Sequence, residues 1–130
     1  MFVNNLQTGI DHTWTSGHFY KELLIRTNNP VYKEFIEQAE SDKRKHYELL
    51  QYVHYMLTGK YHTLNKQKRT FSTFREGVLM ALKTELKEAA FYRDLLMNIP
   101  DWSVHQPIFM VMTDAPLNAV RFTCIYNALK

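Results

Sequence analysis

Cysteine is nearly missing from this chain: Cys124 is the only one in 130 residues. That excludes an internal disulfide and any CxxC metal or redox motif, so packing must hold the fold, and a reducing cytoplasm is the expected location. Glycine and proline are scarce, at four each, which argues against a chain of tight turns and short strands. An excess of one charge is also lacking. Sixteen Lys and Arg against thirteen Asp and Glu leave a net charge of +3, short of the dense basic face of a dedicated nucleic-acid binder. Lys60, Lys66, Lys68 and Arg69 lie together in "GKYHTLNKQKRT", but with no longer run of interleaved aromatics this segment reads as a solvated basic loop rather than a nucleic-acid contact. Long apolar runs are missing as well. The longest, "IFMVM", is too short to span a bilayer, and "MFVNNLQTGIDH" lacks the basic-then-apolar layout of a signal peptide. A soluble protein with no membrane partner is expected. Gly-rich phosphate loops, dinucleotide fingerprints and a Ser-His-Asp arrangement do not occur.

What is present is apolar mass with helical spacing. Hydrophobic residues make up 45% of the chain and aromatics 14%, enough for a single domain over residues 1–130 with one sizeable core. Four helices are predicted, at about residues 10–27, 30–57, 71–97 and 104–129. The second carries Phe35, Ala39, Asp42 or Lys43, His46, Leu50, Val53 and Leu57 at three- and four-residue steps. The third carries Val78, Leu82, Glu85, Ala89, Tyr92 and Leu96, placing the Glu85 carboxylate among core positions, where it needs a partner. The fourth is interrupted by Pro116, which predicts a kink or a restart capped by Thr113 or Asp114. Short links join these segments, and the architecture expected is an all-α, antiparallel up-down four-helix bundle.

The segments "AESDKRKHYELLQYVHYMLTGK" and "ELKEAAFYRDLLMNIPD" resemble the second and third helices of the rubrerythrin-like branch of the ferritin-like superfamily. The resemblance implies a ferritin-like bundle in which two iron or manganese ions lie between the helices. Their ligands would be a glutamate from each of the first and third helices and a Glu-x-x-His pair from each of the second and fourth. Carried onto this sequence, the pattern retains Glu85, seven residues before Tyr92, and His46 in "DKRKH". Lys43 stands at the second-helix glutamate position, Thr13 at the first-helix position, and Ala115 and Asn118 where the fourth helix would supply Glu and His. Glu88 takes the place of a family alanine.

Two ligands of six cannot neutralise a pair of divalent ions, and Lys43 adds repulsion. His46 and Glu85 are therefore read as remnant ligand positions. No cofactor is expected, iron or manganese in an altered oxidoreductase site being the alternative. A protein-only polar cluster of Lys43, His46, Glu85 and Asn118 is the expected replacement, with the lysine ammonium standing in for metal charge. A second arrangement of those residues leaves Lys43 directed outward and His46 bonded to a tyrosine or a backbone carbonyl. His12, His18, Asp11 and Glu22 suggest a shifted mononuclear site using His46 and Glu85, and Asp42 with His46 can chelate one ion or simply stabilise the helix. Cys124, in "RFTCIYNAL", reads as an inert buried thiol. Tyr47, Tyr52 and Tyr55 point around the second helix, and with Phe71 and Phe74 they imply an exposed aromatic patch and a homodimer. The function expected is a non-catalytic structural or interaction protein.

Overall fold

The computed structural model describes residues 1–129. Four helices account for most of the chain: α1 (Phe2–Leu24), α2 (Pro30–Thr58), α3 (Phe74–Met97) and α4 (His105–Ala128), with a 3-10 turn at Trp102–Val104 before α4. No strand occurs among the described residues.

Their ends follow from side-chain chemistry. The Asn29 side chain accepts from the Val31 and Tyr32 amides and Pro30 sits at the first helical position, so α2 begins where its free N–H groups are met. Gly59 stops it, with φ of 81°, a left-handed conformation that glycine adopts without strain. Thr73 caps the Glu76 amide at 3.1 Å while Glu76 accepts from the Ser72 amide at 3.1 Å, fixing the start of α3. α1 has no side-chain cap and starts eight residues earlier than its composition predicts. Leu6 and Ile10, both fully buried, hold its first turns in place of propensity.

α1 packs on α2 and α3, and α4 packs on α3 and α2. The α1–α2 and α3–α4 pairs are hairpins, but the middle link is not short. Tyr32 near the start of α2 stacks on Phe74 at the start of α3, so α2 and α3 run parallel on opposite corners. Residues 59–73 must then travel the length of the bundle. They do so along α1: the Asn65 amide donates to Asp11, the Lys66 ammonium lies 5.3 Å from the Trp14 ring centroid, and the Arg69 guanidinium lies 5.2 Å from that of Phe19. The connectivity is thus two hairpins joined by one long crossover.

Two apolar clusters fill the ends of the bundle. Leu6, Ile10, Leu50, Val53, Leu95 and Ile108 meet at one end; Phe19, Leu23, Ile36, Val78, Phe122 and Ile125 meet at the other. The polar groups described below lie between them. The buried stripe of α3 is Val78, Ala81, Glu85, Glu88, Tyr92 and Leu95, rotated from the predicted one, so that Leu82, Ala89 and Leu96 lie at its flank. At Gly9 a Cβ would stand 2.8 Å from the Tyr92 hydroxyl, which donates to the Gly9 carbonyl. A side chain there would push α1 off α3.

α4 corrects the expectation of a restart, for it runs unbroken through Pro116. Asp114 caps nothing there, and Thr113 donates to the Met110 carbonyl. Pro116 is exposed, so the carbonyl four residues back loses its amide partner on the side where water can replace it. Pro116→Ala is expected to raise stability by up to about 3 kcal/mol, the interior-helix cost of proline, as read by chemical denaturation. No gain would mean that the helix is already relaxed around the ring. By length and composition the stretch Trp102–Ala128 is also the one helical segment among the described residues apolar enough to cross a bilayer. Here its Ile108, Val111, Ala115, Phe122 and Ile125 side chains face the core.

Candidate functional site

Lys43 reaches from α2 across the centre of the bundle to α3. Its ammonium lies 3.0 and 2.9 Å from the two oxygens of Glu85 and 2.8 Å from Oε2 of Glu88. All three side chains are buried, Lys43 at 1% exposure and Glu85 at 0%. Glu85 and Glu88 fall on one face because they are three residues apart on a helix. The Tyr20 hydroxyl, from α1, donates to Glu85, and the Tyr92 hydroxyl donates to the Gly9 carbonyl and pairs with Thr13 at 3.0 Å.

One lysine faces two carboxylates in a dry centre, and that imbalance sets the protonation. Burial pulls the Lys43 ammonium down, but Glu88 and Glu85 outweigh it and leave its pKa above the usual lysine range. Burial pushes Glu85 up to about 7, and Glu88 adds to that, against the opposing pull of Lys43. Burial and the two carboxylates likewise raise Tyr20. Below about pH 7 the deeper carboxylate takes up the proton that makes the cluster neutral.

This gives a pH signature. A carboxyl with a folded-state pKa of about 7 and an unfolded value of 4.5 contributes stability that is full below the lower value and lost as pH rises through the upper one. His46 acts oppositely: burial lowers its pKa below 6.5, despite the Asp114 hydrogen bond, so its contribution is present above pH 6.5 and falls away below it. Glu85→Gln removes only the first contribution. The stability of this variant relative to the parent is expected to rise by about 2–3 kcal/mol between pH 5 and pH 8, measured by urea unfolding. A constant difference would show that Glu85 does not titrate in that window.

His46 and Asn118 do not join the lysine cluster, contrary to the sequence expectation. His46 Nε2 pairs with Asp114 of α4 at 2.8 Å, and its Nδ1 has no protein partner. Asn118 donates to Asp42 at 3.2 Å and accepts from Arg121 at 2.7 Å. Lys45 closes this second group, 3.4 Å from Asp114. Asp114 and Asp42 are nearer than Glu85, so the α2–α4 contact captures both residues.

The other candidates disperse. Asp11 accepts from the crossover, from His62 and from the Asn65 amide, both at 3.0 Å. His18 is exposed and stacks on Trp14. His12 and Glu22 are exposed as well. None of the four meets His46 or Glu85. Among the described residues no set of three His, Cys, Asp or Glu is placed to hold a metal ion. Cys124 is exposed rather than buried, because it falls on the outward face of α4 with Val120. Glu88 is the main residue missed by sequence reasoning; its place one helical step from Glu85 was the available signal. Beside it, between α1, α3 and the crossover, a cavity of about 360 Å³ is lined by Thr15, Arg69, Thr84, Lys87, Glu88 and Phe91 among others.

An all-α four-helix bundle with one crossover and a buried lysine–carboxylate centre is the class that this geometry defines. Solved structures share the fold. A hypothetical protein from Pyrococcus furiosus superposes with a TM-score of 0.86 at 18% identity, over 98% of this chain and 89% of that one. A conserved hypothetical protein from Mycobacterium tuberculosis does so at 0.83 and 13% identity, over 99% and 93%. No family model and no curated protein matches the sequence.

Proposed function

We propose that this chain is a ferritin-like bundle of the rubrerythrin-like kind whose di-metal centre has given way to a lysine, and that it serves as a non-catalytic structural or interaction protein of the cytoplasm. The observation that carries this reading is the Lys43 ammonium between Glu85 and Glu88. Iron or manganese does not fit the donors present. Each carboxylate is committed to a resident cation, His46 is committed to Asp114, and two divalent ions would bring four more positive charges against Lys43. The single long crossover supports the ferritin-like part, since that connection sets ferritin-like bundles apart from simple up-down ones.

The interaction part draws on exposed apolar side chains. Tyr52, Tyr55 and Tyr61 are exposed on and beside α2, with Tyr55 stacked on Tyr61, and Phe109, Leu117 and Val120 are exposed on α4. Tyrosine-rich surfaces of this type support a homodimer. The test is metal content and molar mass on one sample, expressed with added iron and manganese and purified anaerobically without a histidine tag. Far less than one ion per chain and a dimeric mass are expected. A full equivalent of iron or manganese that disappears in Glu85→Ala would overturn the non-catalytic reading in favour of an altered oxidoreductase, and a monomeric mass would remove the homodimer.

A further inference from the structure

The cavity beside the central cluster has an ordered arrangement of charge. Its inner wall is Glu88, which is 6% exposed and gives only Oε2 to Lys43; Oε1 has no protein partner. Thr15, also 6% exposed, lines the same cavity and has an Oγ1 without a partner. An unmet carboxylate oxygen and an unmet hydroxyl at such depth call for a hydrogen-bond donor. The opposite requirement holds at the rim. Arg69 spends one N–H on Thr84 at 2.6 Å, and Lys87 is exposed. Among the described residues neither is paired with a carboxylate. Phe91 and Tyr92 supply apolar wall. The volume is at the lower end of the range for small-molecule sites, roughly 300–1,000 Å³.

We propose that this cavity binds a small zwitterion, its ammonium set against the Glu88 and Thr15 oxygens and its carboxylate or phosphate held by Arg69 and Lys87. A simple amine would meet the rim cations, and a simple anion would meet Glu88. Only a molecule carrying both charges at opposite ends satisfies inner wall and rim together, with its carbon chain along Phe91. Arg69 suits the anionic end because its planar fork can hold two oxygens at once. It comes from the crossover, Thr15 from α1 and Glu88 from α3, so the site exists only in the assembled bundle. The proposal goes beyond the non-catalytic reading and does not depend on it.

The test is calorimetric titration of the full chain at pH 7 in low salt with a chelator present, which keeps the result separate from the metal analysis. The probes are 5-aminovalerate and O-phosphoethanolamine, with valerate and pentylamine as the corresponding half-molecules. At least one zwitterion is expected to saturate a single site per chain and to bind about tenfold or more tightly than either half-molecule, the worth of one charged hydrogen bond. The tighter of the two identifies the anion. Arg69→Gln and Thr15→Val should each weaken that binding about tenfold, and both leave Lys43 with its partners, so a folding defect does not obscure the result. Glu88→Gln should abolish the preference for the zwitterion over its anionic half. Equal affinity for zwitterion and half-molecules, no saturable binding, or binding unchanged in Arg69→Gln would overturn the proposal.

Discussion

Lys43→Met is expected to destabilise the protein by about 3–5 kcal/mol at pH 8, measured by urea unfolding. The size follows from what stays behind. Methionine fills much of the same volume, but Glu85 and Glu88 lose the cation 2.8 to 3.0 Å away and remain buried close to one another. They then take up protons or admit water, and each response costs free energy in a packed centre. Adding Glu85→Gln and Glu88→Gln to the same chain should recover most of the loss, since no uncompensated charge remains. A loss below about 1 kcal/mol for the single variant would place the Lys43 ammonium in water rather than between the helices.

Phe122→Ala should cost a similar amount, about 3–5 kcal/mol, for a different reason. Phe122 is fully buried and its ring packs against Tyr20 with centroids 5.0 Å apart. Tyr20 in turn donates its hydroxyl to Glu85. The deletion leaves a cavity in the apolar cluster and removes the ring that holds this donor. Thermal unfolding would show the first effect. The second would appear as an altered pH dependence, because a looser Tyr20 no longer supports the Glu85 carboxylate. A stability loss under about 1.5 kcal/mol would show that α1 and α4 collapse into the gap.

Much of this architecture was legible in the residues. Asn29–Pro30 and Gly59 mark α2 by cap chemistry that depends only on neighbours in sequence, and the fold class follows from apolar spacing. The start of α1 was not legible, because Asn4, Asn5 and Gly9 lower local propensity while the burial of Leu6 and Ile10, which decides the matter, is tertiary. The crossover was equally hidden: residues 59–73 show loop composition but not the direction in which α3 departs. At the site, the pairing of Lys43 with Glu85 was one of two arrangements left open by the residues, the other directing Lys43 outward, and the burial of Lys43 decides between them. The capture of His46 by Asp114 depends on how α2 and α4 rotate against each other, which no spacing within a single helix reports.

The lysine–carboxylate centre also has a consequence for register. α2 and α3 lie parallel across the bundle, and layers of aliphatic side chains above and below tolerate a slide, one leucine replacing another. The charged layer does not. Moving α2 by one turn, about 5.4 Å, would set Lys43 between Ala81 and Glu85 in one direction or between Glu88 and Tyr92 in the other, all buried. Each displaced arrangement leaves the ammonium with one partner and strands the other carboxylate in the packed interior, at several kcal/mol for the stranded ion. The centre thus acts as a detent: whatever it adds to or takes from total stability, it leaves the two hairpins one axial position in which to close.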